Sequence, residues 1–172
     1  VGFKTLNLFF LVLFLLNPSF AAQTEQSCNH TSSTFSCVNY IKNYDGDTIT
    51  FNIKDVHPLL GEKINVRLFG VDTPEIRTND KCEKEKGRTA KRLVANLLQN
   101  AKRIDLENIK RDKYFRILAE VKFDQKSLSE VLIKNGLAYE YFGKTKPKVN
   151  WCNLGREIAQ DEKKKTQTKP KK

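Results

Sequence analysis

The sequence predicts an α+β fold, a five-stranded, partly open Greek-key β-barrel with two or three flanking α-helices. Three observations carry that expectation. Before residue 72, short runs alternate apolar with polar residues, the period of half-buried strands. Over 86–100 the period becomes helical, with Ala90, Leu93, Val94, Leu97 and Leu98 on one stripe. Two further alternating runs and a capped helix then follow.

Each element has its own signal. The first strand is predicted over 35–44 and the second over 48–53, where Ile49, Phe51 and Ile53 share a face. A loop with His57-Pro58 and Gly61 covers 55–63. The third strand spans 64–71, with Ile64, Val66 and Leu68 inward and Asn65 and Arg67 outward. After the helix come strands over 103–109 and 117–123, the latter alternating through Ile117, Ala119, Val121 and Phe123. Ser127-Leu128-Ser129-Glu130 is a capping box opening a short helix, and Gly136 is its stop signal. A last helix with a thin apolar face is expected over 153–165. Three strands, a helix and two more strands describe a barrel of OB type, which commonly binds nucleic acids or sugars. Fold alone does not decide function.

The 172 residues, 39% hydrophobic and 30% charged, suit one domain and exclude collagen, repeat arrays and a wholly disordered chain. Lys and Arg total 31 against 20 Asp and Glu, a net charge of +11. Six of the lysines lie in the tail over 163–172, which carries no acid. Without that tail and Lys4, about four positive charges remain on the body, weak evidence for a polyanionic partner. A lysine tail is most often a solvated end.

Residues 1–22 read as a secretory signal: Lys4, then the apolar run Leu8–Leu16, then Asn17-Pro18 and the small-residue site Ser19-Phe20-Ala21. The run is shorter than the ~20 residues that span a bilayer. The expected organisation is therefore a signal over 1–22, an extension over 23–34, the domain over 35–162 and a basic tail over 163–172. A secreted or periplasmic monomer without stable membrane insertion is expected. Four cysteines suit that compartment and allow three pairings. Cys28 and Cys37 are close neighbours beside the first strand, which favours their pairing and leaves Cys82 with Cys152 to close a long loop. Zinc is not expected. The cysteines lack C-x-x-C spacing, and His30 and His57 read as surface residues.

The acids carry the chemistry. Asp47 precedes Ile49, Phe51 and Ile53 by an even count and shares their inner face. In an antiparallel hairpin of strands two and three, the start of one lies beside the end of the other, which brings Asp47 near Asp72. Two carboxylates held away from water repel unless a cation intervenes. A hard divalent ion with oxygen ligands resolves the conflict, Ca²⁺ being the natural choice outside a cell. Pro74 holds Thr73 extended, so the Thr73 carbonyl can join the same ion. Glu75 stands beside that site as a base for water, and Arg67 and Arg116 can grip a phosphate with paired hydrogen bonds. Arg67 and Asp72 have opposite parity, which requires a bend or bulge near Gly70. Taken singly, Asp45-Gly46-Asp47 is an ordinary turn signal and Asp72-Thr73-Pro74-Glu75 an ordinary loop. Their convergence is the informative feature.

Asp45-Gly46-Asp47-Thr48, Arg67-Leu68-Phe69-Gly70-Val71-Asp72-Thr73-Pro74-Glu75 and Asp112-Lys113-Tyr114-Phe115-Arg116 resemble the staphylococcal nuclease (thermonuclease) family, in order and spacing, over roughly residues 35–151. The resemblance implies that Asp47, Asp72 and the Thr73 carbonyl bind Ca²⁺, that Glu75 is the general base, and that Arg67 and Arg116 hold the scissile phosphate. It implies hydrolysis of DNA and RNA with little sequence preference, leaving 3′-phosphate ends. Lys113, Tyr114, Tyr139 and Tyr141 would contact the nucleotide. The family carries glycine just before the second arginine, where this chain has Phe115. Glycine permits backbone angles that phenylalanine resists, so the placement of Arg116 depends on how Phe115 is accommodated. The alternative function is a non-catalytic OB-fold module binding nucleic acid or another extracellular polyanion.

Overall fold

Residues 27–112 and 114–155 are described by the structure, a computed structural model. The signal over 1–22, Lys113, the tail over 163–172 and most of the helix expected over 153–165 lie outside the described residues. In chain order the elements are β1 (Asn39–Asn43), β2 (Thr48–Asn52), α1 (Pro58–Gly61), β3 (Ile64–Leu68), β4 (Val71–Asp72), α2 (Lys81–Gln99), β5 (Ile104–Arg111), β6 (Ile117–Phe123), β7 (Lys126–Ser127), α3 (Leu128–Lys134) and β8 (Tyr139–Glu140).

The five longer strands lie in the order β1-β2-β3-β6-β5, with β3 and β6 parallel and the other neighbours antiparallel. Hydrogen bonds just before β1 close the sheet. Phe35 and Leu106 exchange both backbone bonds at 2.8 Å, and Val38 N–H donates to Ile104 O at 2.9 Å. The run expected as one strand over 35–44 is therefore two segments, one against β5 and one against β2. The corner is Cys37, whose φ of +54° turns the chain and whose N–H donates to Asp105 Oδ1 at 2.8 Å. A continuous strand could not serve both edges, so the alternating pattern is right while its straightness is not.

The core is the inner face of this barrel. Ile49, Phe51, Val66, Leu106, Ala119, Leu128 and Leu132 are fully buried. α2 covers one side with Ala90, Val94 and Leu98, three residues of the predicted stripe; Leu93 and Leu97 are half-buried at its margin. The helix starts earlier than the apolar period shows, because Asp80 caps it by accepting from Cys82 and Glu83 N–H groups. Its first turn is polar, so periodicity alone misses it. Ser127 caps α3 by accepting from Glu130 N–H, as the capping box predicts.

Both predicted disulfides form: Cys28–Cys37, and Cys82–Cys152 across 70 residues. The histidines do more than face solvent. His30 Nε2 meets Lys54 O at 2.7 Å while its Nδ1 accepts from Ser36 N–H, clasping the segment before β1 to the loop after β2. His57 caps α1, a single turn within the region expected as loop, by accepting from Leu59 N–H. No described helix is long and apolar enough to cross a membrane.

Candidate active site

Pairing of β2 with β3 sets Thr48 opposite Arg67, so Asp47 at the entry to β2 meets the end of β3. The strand expected over 64–71 breaks after Leu68. Gly70, at φ +81°, turns the chain, and Val71 and Asp72 form β4 against β8. This bend resolves the parity conflict and returns Asp72 to the Arg67 side. Glycine suits it because a β-carbon makes positive φ costly.

Asp47 and Asp72 meet on one guanidinium. Arg67 NH1 donates to Asp47 Oδ1 at 2.6 Å, and NH2 to Asp72 Oδ1 at 2.7 Å. Both acids are buried, at 2% and 4% exposure. Burial pushes the Asp47 carboxyl up to about 7; Arg67 opposes that rise, while Asp45 and Asp72 add to it. Burial also disfavours the Arg67 charge, but the two aspartates outweigh it and hold the guanidinium above its ordinary value. Asp45 Oδ1 accepts from Asp47 and Thr48 N–H groups and shapes the turn. Thr73 N–H donates to Asp47 Oδ2 at 3.2 Å, fixing the segment that carries the Thr73 carbonyl.

Glu75 occupies the rim, its side chain 56% exposed. α2 sets its position from below: a β-carbon on Gly87 would lie 2.7 Å from Pro74 O and 3.1 Å from the Glu75 carbonyl carbon. Only glycine allows that approach. Glu75 N–H also donates to Glu83 Oε1 of α2 at 3.3 Å.

Two residues bind Asp72 in ways the sequence reading did not anticipate. Tyr139, opposite Asp72 in the β4–β8 pair, donates its hydroxyl to Asp72 Oδ2 at 3.0 Å. Burial and that hydrogen bond hold its phenol above the ordinary value. Lys146 Nζ lies 3.0 Å from Asp72 Oδ1 and 3.8 Å from Glu75 Oε1. Burial works against its charge, but Asp72 and Glu75 raise its pKa overall. Tyr141 contributes less directly, its hydroxyl donating to Lys144 O at 2.6 Å.

Arg116 stands in the loop between β5 and β6. Its Nε and NH2 reach Asp112 Oδ2 at 2.8 and 2.7 Å, and its guanidinium lies 5.5 Å from the Tyr114 ring centre. Phe115 takes φ +60°, a left-handed conformation that a glycine would adopt more readily. Arg116, Arg67, Tyr114 and Tyr141 line one open cleft of about 320 Å³. Both arginine forks, expected to face a phosphate, are engaged by carboxylates here, because a guanidinium near a carboxylate gains two charge-assisted bonds.

The donors that meet on Arg67 are two buried carboxylates, oxygen ligands of the kind a hard cation takes. Among the described residues, no group of three or more His, Cys, Asp or Glu side chains is gathered to hold a metal.

Residues 65–168 match the family model described as staphylococcal nuclease homologue. The chain is 38% identical over 134 residues to Endonuclease YncB of Bacillus subtilis, covering 72% of this chain and 60% of that protein. It is 39% identical over 110 residues to the SPbeta prophage-derived endonuclease YokF of the same species, covering 59% of this chain and 34% of that protein. It is 33% identical over 115 residues to the Thermonuclease of Staphylococcus hyicus, covering 66% of this chain and 63% of that protein. The chain thus spans less than two thirds of each of these relatives. With the matched segment covering more than half of its length, on an OB-type barrel that gathers Asp47, Arg67 and Asp72 at one rim, the chain belongs to the staphylococcal nuclease family.

Proposed function

We propose that the protein is a secreted or periplasmic calcium-dependent nuclease that hydrolyses DNA and RNA with little sequence preference and leaves 3′-phosphate ends. The observation that carries this reading is the meeting of Asp47 and Asp72 on the Arg67 guanidinium, beside a cleft that Arg67 shares with Arg116. Relatives named endonuclease and thermonuclease support it. Two disulfides and the signal-like residues 1–22 support export.

Asp47, Asp72 and the Thr73 carbonyl would hold calcium, which when bound supplies charge neutralisation and polarises a phosphate oxygen. Arg67 and Arg116 bind the phosphodiester from the cleft, exchanging carboxylate partners for phosphate oxygens, and oppose the charge that builds in the transition state. Glu75 takes a proton from the attacking water. A phosphorus–oxygen bond forms as the bond to the 5′-oxygen of the next nucleotide breaks; that oxygen leaves with the bonding pair and takes a proton from solvent water, so the phosphate stays on the 3′ side. Tyr114, Tyr139 and Tyr141 stand around the nucleotide, and Lys113 is assigned to the same role. Contacts to phosphate rather than to base edges give low sequence preference.

The test is incubation of the purified chain with plasmid DNA and with RNA, in calcium and in chelator, followed by analysis of the ends. Degradation in calcium alone, with 3′-phosphate ends, is expected. Intact nucleic acid in calcium would overturn the reading, and binding without cleavage would identify a non-catalytic OB-fold module.

A further inference from the structure

Cys82 and Cys152 each stand one residue from a group that touches the catalytic rim. Next to Cys82, Glu83 accepts from Glu75 N–H at 3.3 Å. Next to Cys152, Trp151 is buried and packs 5.6 Å from the Tyr139 ring centre, and Tyr139 in turn donates to Asp72 Oδ2 at 3.0 Å. The disulfide therefore joins the helix that seats Glu75 to the segment that orients Asp72.

The two sides of the bond are unequally anchored. Cys82 lies in the first turn of the 19-residue α2, where the Asp80 carboxylate accepts from the Cys82 and Glu83 N–H groups. Cys152 ends a stretch after β8 in which residues 142–148 are all exposed. The Asn153 and Leu154 N–H groups donate back to Asn150 O, bonds internal to that stretch. Its polar grip on the rim is Lys146 on Asp72, an ion pair whose lysine is 49% exposed, and such pairs are weak. A segment with few buried contacts opens at low cost, whereas a covalent link to a fixed helix keeps its concentration at the rim high. Cys152 is exposed, so thiol exchange can reach the bond.

We propose that Cys82–Cys152 is a redox switch on the active site: with both thiols reduced the barrel stays folded but works slowly, and closing the bond docks the segment after β8 and completes the site. The proposal rests on the nuclease reading and adds its regulation. In the closing step two S–H bonds break and one S–S bond forms. Both protons and two electrons pass to an oxidant of the disulfide class, whose own S–S bond opens to two thiols. A reducing compartment would thus hold the chain latent, and an oxidising one would activate it. Without the bond, Trp151 loosens from Tyr139 and Asp72 loses the hydroxyl that orients it, a change worth about 10- to 100-fold in function. Lys146 leaves the same carboxylate, which favours calcium by at most about fivefold, so the comparison is made at saturating calcium.

Plasmid cleavage by the full chain tests it, with far-UV circular dichroism and Trp151 emission followed in parallel. Cys82→Ser/Cys152→Ser should keep its circular dichroism and cooperative unfolding, show red-shifted emission, and lose about tenfold or more in kcat. Cys28→Ser/Cys37→Ser should stay within about twofold of the wild-type kcat, because its corner lies away from Asp72. The wild type should lose turnover in dithiothreitol and regain it in glutathione disulfide. An unchanged kcat in Cys82→Ser/Cys152→Ser would overturn the switch. So would loss of the fold in that variant, which would make the bond a staple of the whole domain, or an equal loss in Cys28→Ser/Cys37→Ser. If the oxidised wild type cleaves plasmid and the variant cleaves as fast, only the switch falls. If the oxidised wild type leaves plasmid intact in calcium, the nuclease reading falls and the switch with it.

Discussion

Lys146 and Asp72 are ion-paired at 3.0 Å, on the same carboxylate oxygen that Arg67 holds at 2.7 Å. Any cation recruited to Asp72 must therefore contend with a lysine already there. Lys146→Gln removes a like charge and should tighten calcium binding. The lysine is 49% exposed, so the pair falls in the ~0.2–1 kcal/mol range and the gain should be about 1.4- to fivefold in Kd. Isothermal titration calorimetry of the two proteins reads it. Weaker binding in the variant would mean that Lys146 helps to hold Asp72 in place instead.

Arg67 neutralises two carboxylates whose side chains are only 3% and 6% exposed. Removing it leaves them facing each other in a poorly solvated place. Arg67→Ala should cost about 3–5 kcal/mol of stability in chelator, measured by urea denaturation. Calcium should restore part of that loss, because a bound cation replaces the missing charge. Equal stabilities with and without calcium would argue against a cation site at these aspartates.

Glu75 is half-exposed and contributes little to packing, so Glu75→Gln should fold and melt like the wild type. Loss of a positioned base should reduce kcat by about 10²–10⁴. Turnover near normal in the folded variant would remove the assignment of Glu75.

Much of this site is legible in the sequence because it rests on strand parity. The even spacing from Asp47 through Ile53 places an acid on the inner face, and Asp47, Ile49, Phe51 and Ile53 are all buried. The parity conflict between Arg67 and Asp72 anticipates the bend at Gly70. Lys146 and the Tyr139–Asp72 bond are not legible in the same way. β4 and β8 are two residues each, too short for any periodic signal. Lys146 follows β8 in a stretch with no apolar pattern, which returns to the barrel where Trp151 packs 5.6 Å from the Tyr139 ring and Cys152 bonds α2. The corner at Cys37 is hidden for another reason: alternation reports which residues face inward, not which neighbouring strand they pair with.

The Asp112 carboxyl responds to pH with a definite sign. Slight burial raises its pKa, but hydrogen bonds from Arg116 and Tyr114 and the Arg116 charge lower it below its ordinary value of 3.8. A depressed folded pKa stabilises the loop above the unfolded pKa and loses that contribution as pH falls through the folded value. The Tyr114 and Arg116 amide resonances should therefore hold their positions from neutral pH to below 3.8 and move only at more acid pH. Movement centred above pH 4 would contradict the clamp.

The two disulfides should differ in worth and in what they hold. Closing 70 residues limits the unfolded chain more than closing 9, so Cys82→Ser/Cys152→Ser should cost ~4 kcal/mol and Cys28→Ser/Cys37→Ser ~2.5 kcal/mol. The sequence has one tryptophan, Trp151, so its emission reports the C-terminal staple directly. Without Cys82–Cys152 the native emission should shift to the red as Trp151 loosens from Tyr139, which in turn frees the hydroxyl bonded to Asp72. Without Cys28–Cys37 the emission should stay where it is, because that bond pins the corner at Cys37 on another part of the barrel. Urea denaturation followed by tryptophan fluorescence measures both effects. A larger loss from the shorter loop would mean that closing the barrel between residues 35–38 and β5 limits stability more than chain entropy does.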